Sequence, residues 1–191
     1  MKTLITSTAL ALLTAAPALA QDTHCEDWWF TRNQLFDHAG YCFSSPLGQA
    51  MFDNEHCVGN QIDLDDHIQQ EVDIIRSFEK EFGCAVDTSR TSLDIPLLDL
   101  RRRLVDVPIM SEFASGCLEW QGDEIPLHLG HHPDAPVLGA AYPGDDIVWE
   151  YEYPAQPDGW EFLTIYRDGE QIMLGWSQTP INHDQCGRLA G

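Results

Sequence analysis

Apolar positions recur at helical spacing in the first half of the chain and in short alternating runs in the second, with the change near residue 110. Residues 26–39 place Trp28, Trp29, Arg32, Leu35 and Phe36 at helical intervals, and Gly40 follows where a helix can stop in the left-handed conformation. Ser44 or Ser45 can cap a short helix with Pro46 in its first turn and Leu47, Ala50 and Met51 on its buried side. A third helix is expected from Asp66, where Gln69 completes a capping-box pattern and Ile68, Val72, Ile75, Phe78 and Phe82 share one face until Gly83. A fourth is expected from near Asp94 and Pro96 through Leu97, Leu100 and Leu104, with Arg101, Arg102 and Arg103 toward the end where the helix dipole favours cations.

Beyond Cys117 the expected elements are strands, at residues 118–120, 125–129, 137–141, 147–153, 160–166 and 172–176. Gln121-Gly122-Asp123 and Pro143-Gly144-Asp145 read as loops, and Asp168-Gly169 is a two-residue hairpin signal. Five or six short strands in roughly 70 residues predict a small antiparallel barrel. The fold class is therefore α+β, with a helical module over residues 21–110 and a β-barrel module over residues 111–191.

Residues 1–20 read as a secretory leader: Lys2, an apolar run over residues 4–13, and Ala18-Leu19-Ala20 before a cleavage point at Gln21. That run is shorter than the roughly 20 residues that span a bilayer, so no membrane span is expected. Polar Asp22-Thr23-His24 ahead of Cys25 argues against a lipid anchor there.

Export changes the meaning of the cysteines. All six, Cys25, Cys42, Cys57, Cys84, Cys117 and Cys186, lie beyond the leader, and an even number in an exported chain predicts three disulfides. If the short second helix folds back along the first, its continuation brings Cys57 toward Cys25, and a returning third helix brings Cys84 toward Cys42. The expected pairs are Cys25 with Cys57, Cys42 with Cys84, and Cys117 with Cys186. No CxxC is present, which counts against a redox motif and a zinc knuckle.

Charge narrows the partners. Against 10 Lys and Arg stand 31 Asp and Glu, a formal net charge of −21. Such a chain repels phosphate backbones and anionic lipid surfaces, which argues against nucleic acid and bare membrane and leaves basic proteins, cationic ligands or metal ions.

Residues 28–52, with an aromatic-led helix, Arg32-Asn33, Gly40, Tyr41 and Phe43, resemble the YARHG domain of uncharacterised bacterial envelope proteins. The name-giving motif is changed to Phe36-Asp37-His38-Ala39-Gly40. The β half resembles a bacterial Src-homology-3-like barrel more loosely, and the pairing of the two resembles a group of exported proteins known only as a domain of unknown function. What this implies is a periplasmic or secreted location and an architecture, with no reaction attached.

Candidate chemistry is sparse. His128, His131, His132 and Asp134 gather metal-ligand types within seven residues, but HxxHH is not a recognised ligand spacing, so they are weak metal candidates beside a plain surface reading. Asp63, Asp65 and Asp66 lack the glycine and closing glutamate of a Ca²⁺ loop and suit a helix N-terminus better. There is no GxSxG, HExxH or SxxK, so no catalytic residue is assigned and no cofactor is expected. Possible ligand contacts are Arg32, which could otherwise lie over an aromatic ring and pair with an acid, and Trp149, Tyr151 and Trp160. Trp149, Tyr151 and Tyr153 share one face of a strand that is either core or a ligand groove. The expectation is a monomeric, exported, non-catalytic binding or envelope-associated protein whose partner is an unknown protein or cell-envelope ligand. The alternatives are a small extracytoplasmic hydrolase or metal-binding protein using His128, His131 and His132, and a secreted inhibitor.

Overall fold

Two tryptophans side by side cannot face the same way on a helix, and this lays out the helical half. In the computed structural model, which describes residues 22–154 and 159–191, helix α1 spans Asp22–His38. The expected leader lies outside the described residues. Trp28 packs with Leu35, Val72, Ile75, Val107 and Ile109, stacks near Phe78 and Phe82, and donates its indole N–H to the Met110 carbonyl at 2.9 Å. Trp29 turns to a second cluster with Phe30, Phe43, Leu47, Met51, Phe52 and Ile95. One helix thereby serves two cores.

Gly40 ends the α1 segment with φ +85°, as its position predicts. Ser45 caps helix α2, Pro46–Met51, by accepting the Gly48 N–H at 3.1 Å. Helix α3, Asp66–Glu81, buries Val72 and Ile75 on the expected face. Its capping box does not form: Asp65 is the N-cap residue, and the Gln69 side chain donates instead to Asp73 at 2.8 Å. The fourth helix is a single turn, α4, Leu98–Arg101, because Leu97 sits at φ +52° and its left-handed backbone excludes residues 94–97 from the helix.

The cysteine pairing differs from the expected one. The structure joins Cys25 to Cys84, Cys42 to Cys57, and Cys117 to Cys186. After α2 the chain returns to the C-terminal end of α1, where Val58 N–H bonds the Gly40 carbonyl at 2.7 Å and Cys42 N–H bonds the Gly59 carbonyl at 2.8 Å. Cys57 therefore meets Cys42 and lies a helix length from Cys25, about 25 Å for 17 residues. Helix α3 runs antiparallel to α1, tied by Arg32 to Glu79, so Cys84 arrives at the start of α1.

The β half is one seven-stranded antiparallel sheet: β1 Ile109–Trp120, β2 Ile125–His128, β3 Val137–Ala141, β4 Asp146–Glu152, β5 Glu161–Arg167, β6 Glu170–Ser177 and β7 Cys186–Ala190. The order β3-β2-β6-β5-β4-β1-β7 leaves β3 and β7 as edges, so the sheet is open and the expected closed barrel is not formed. Asp168 and Gly169, both at positive φ, make the β5 to β6 hairpin. Strand β7 carries mostly exposed side chains and no alternation, which is why periodicity does not announce it. Its Cys186 is held to Cys117 of β1.

A buried polar knot joins the halves. Arg101 of α4 forms a two-pronged ion pair with Asp27 of α1, and Asp27 also accepts from the Tyr151 hydroxyl of β4 at 3.0 Å. Around it Leu97, Leu100 and Leu104 pack on Tyr151, Phe162, Leu174 and Trp176 of the sheet.

Candidate functional site

Strands β4, β5 and β6 turn a run of rings toward one cavity of about 590 Å³. Tyr151, Phe162 and Trp176 are buried and form its floor; Tyr151 meets Phe162 edge-on at 5.4 Å and Phe162 meets Trp176 at 5.2 Å. Trp149, Tyr153 and Trp160 are half-buried and form the walls. Edge-on contacts set the rings as a fixed surface, since aromatic pairs in this geometry gain roughly 0.5–1.5 kcal/mol beyond simple burial. The Glu161 carboxylate accepts the Trp149 indole N–H at 2.9 Å, and the Glu152 carboxylate accepts from Ser111 at 2.9 Å, so two acids stand at the rim in fixed positions. The groove can therefore stack flat or apolar groups on its walls and offer carboxylate oxygens to cations or donors at its edge.

Three of the four expected ligand contacts, Trp149, Tyr151 and Trp160, line this groove. Arg32 does not: its guanidinium holds both Glu79 oxygens at 2.9 to 3.1 Å and staples α1 to α3. Phe162, Glu152 and Glu161 also line the groove, beyond the contacts expected from the sequence. The alternation of Trp160, just before β5, with Phe162 on it carries that signal, but only pairing with β4 sets these residues beside Trp149 and Tyr151.

The histidines are not gathered into one centre. His128 Nδ1 lies 2.9 Å from the Ala135 carbonyl and its ring meets Trp160 edge-on. His131 Nδ1 lies 2.9 Å from Asp106 Oδ2, which also accepts the His131 backbone N–H. His132 and Asp134 are exposed on the intervening loop. Among the described residues no group of three His, Cys, Asp or Glu is placed to hold a metal ion. His131 also packs on Tyr153 and Trp176, and its backbone bond to Asp106 anchors its loop behind the groove wall.

Behind that wall lies a titratable contact. Glu71 of α3 is only 4% exposed and interacts with the Tyr153 hydroxyl. Burial pushes its pKa up from 4.5 to about 7, aided by the Asp106 charge and opposed by His67 and by the Tyr153 hydroxyl. Burial, with the Glu71 and Asp106 charges, pushes Tyr153 up to about 12. A carboxyl whose folded pKa is raised binds its proton more tightly in the folded state. Its favourable contribution is complete below the unfolded value and is lost as pH rises through the folded one. Stability is thus expected to fall between about pH 4.5 and 7, by up to about 3 kcal/mol from this group. Denaturation of Glu71→Gln across that range should show a flatter profile than wild type; identical slopes would remove Glu71 as the source.

Among the described residues no helix is long and apolar enough to cross a membrane. The YARHG domain matches residues 2–80, which takes in the helical half through most of α3. No family match shows the expected Src-homology-3-like region. No curated protein and no solved structure matches the chain. The family described as "Domain of unknown function (DUF4453)" matches residues 83–191, from the turn after α3 to the end of the sheet and more than half of the sequence, and the chain belongs to that family.

Proposed function

We propose that this is an exported, monomeric, non-catalytic binding protein whose aromatic groove holds an extended protein segment bearing apolar and cationic side chains. The observation that carries the reading is the groove itself: six rings, four from strands β4, β5 and β6 and two, Tyr153 and Trp160, from residues flanking them, around one cavity, with the Glu152 and Glu161 carboxylates among its lining residues. Ring faces attract cations as well as apolar groups, and a net charge of −21 steers basic partners toward the molecule. A periplasmic or secreted location is supported by the pairing of all six cysteines, since structural disulfides persist in oxidising compartments, and by the YARHG match. The hydrolase and metal-binding alternatives have weaker support: His131 is engaged by Asp106 and two rings, and the other candidate histidines stand apart from it.

The test compares wild type with Trp149→Ala/Trp160→Ala, both positions being half-buried walls rather than floor. Tryptophan fluorescence is titrated with blocked peptides that alternate lysine with leucine and with glutamate-for-lysine counterparts. Saturable quenching by the basic peptides alone, lost in the double variant, is expected. Equal responses to acidic and basic peptides, or an unchanged response in the variant, would sink the reading.

A further inference from the structure

A second cavity, of about 640 Å³, opens in the helical half and shares no lining residue with the groove. Gln34 and Asp37, one turn apart on α1, form one wall. Met51, Phe52 and Asp53, at and after the end of α2, form another, and Arg102 beyond α4 contributes a third. The second wall is prebuilt. Asn54 accepts the Phe43 N–H at 2.9 Å and donates to the Phe43 carbonyl at 2.8 Å, and the Cys42 to Cys57 disulfide closes the segment.

Two polar atoms here are left without partners among the described residues. Gln34 is 1% exposed, and its Nε2 donates to the Arg101 carbonyl at 2.8 Å, a residue outside the cavity wall. With the amide nitrogen turned that way, Gln34 Oε1 has no donor. Arg102 spends its Nη atoms on Asp99, the Ala50 carbonyl and the Met51 sulfur, while its buried Nε has no acceptor. A buried polar atom left unpaired costs roughly 1–3 kcal/mol, so a donor brought to Gln34 Oε1 or an acceptor brought to Arg102 Nε would offset that cost. Asp37 and Asp53 add two carboxylates close enough for their charges to interact.

The complement of this wall has two parts. A cationic donor suits the carboxylates and Gln34 Oε1, and an acceptor suits Arg102 Nε. We propose that the cavity binds a small molecule carrying an α-ammonium group beside a carbonyl, as in an amino acid or a peptide N-terminus, with its side chain against Met51 and Phe52. Two carboxylates against one guanidinium leave the wall with a formal charge of −1, so ligands of net positive charge bind best.

The experiment follows backbone amides and the Gln34 and Arg102 side-chain signals of the oxidised protein by nuclear magnetic resonance. The probes are alanyl-alanine amide, free lysine, free alanine, and N-acetyl-alanine amide, which lacks the ammonium. Saturable shifts at Gln34, Arg102 and residues 49–54 are expected with the amidated dipeptide or with lysine, and whichever of the two binds more tightly identifies the peptide or the free amino acid as the source. Free alanine should bind more weakly, and N-acetyl-alanine amide at least about tenfold more weakly, the loss of one charge-assisted contact. Asp53→Asn, at an exposed position that keeps an acceptor for the Glu55 N–H, should weaken binding by a similar factor with an unchanged melting temperature. No saturable shift with any ammonium probe, equal binding of the acetylated probe, or full affinity in Asp53→Asn would overturn the proposal.

Discussion

Replacing Arg101 with methionine should destabilise the protein by about 3–5 kcal/mol, the cost of leaving one member of a buried ion pair behind. Arg101 and Asp27 are 3% and 1% exposed. Burial works against the guanidinium charge, yet the Asp27 carboxylate outweighs it and holds the Arg101 pKa above its ordinary value. The guanidinium also donates to Thr31 at 3.2 Å and lies 5.3 Å from the ring centres of both Phe30 and Tyr151. Without it, Asp27 keeps among the described residues the hydroxyls of Tyr151 and Thr31. In a chain of this size the loss should lower the melting temperature by roughly 10 °C. The pair Asp27→Leu with Arg101→Met should recover much of it, because apolar replacement of both charges removes the stranded carboxylate. Equilibrium denaturation of the two single variants and the double variant measures this directly. A single Arg101→Met loss below about 1 kcal/mol would mean that water reaches Asp27 and the knot is not a dry contact.

The second large effect concerns the Cys25 to Cys84 bridge. It joins residues 59 apart in sequence, and on loop-closure grounds its removal costs about 4 kcal/mol. Cys42 to Cys57, at a separation of 15, is worth about 3 kcal/mol by the same relation. Cys25→Ala/Cys84→Ala should therefore melt below Cys42→Ala/Cys57→Ala. Cys25 adds to the gap because its side chain, in the first turn of α1, is buried, whereas Cys42 and Cys57 are only half-buried. Thermal melts of the two double variants in the absence of reductant decide the order. The reverse order would place the larger constraint in the segment behind Asp53, not in the α1 to α3 contact.

Elements that answer to local rules were legible in the sequence. The stripe of α3, the Gly40 stop, the Ser45 cap and the Asp168-Gly169 hairpin each depend on a handful of neighbouring residues. What escaped were features fixed at a distance. A straight continuation after α2 carries Cys57 toward Cys25, while two backbone bonds between residues 40–42 and 58–59 bend the chain back to Cys42. Leu97 has the composition of a helix residue and takes a left-handed backbone under tertiary packing. Strand β7 has no apolar alternation of its own and exists because β1 offers it an edge. At the groove, Trp149, Tyr151 and Trp160 were legible from alternation on one strand and its neighbour. The cavity beside Gln34 was not, since its walls come from three segments that no periodicity connects.

The position of β7 sets an order on how the molecule comes together. Strand β1 lies between β4 and β7, and β7 follows every other strand in the chain, so β1 carries a bare edge and an unpaired Cys117 thiol throughout synthesis of residues 121–185. Pairing across such a separation is slow relative to hairpins like β5 to β6. Oxidation of Cys117 with Cys186 is thus the step that fixes β7 beside β1, and until it happens the nascent protein displays a free thiol and, in place of the short exposed β7, the uncovered edge of the twelve-residue β1, the kind of surface on which folding intermediates associate.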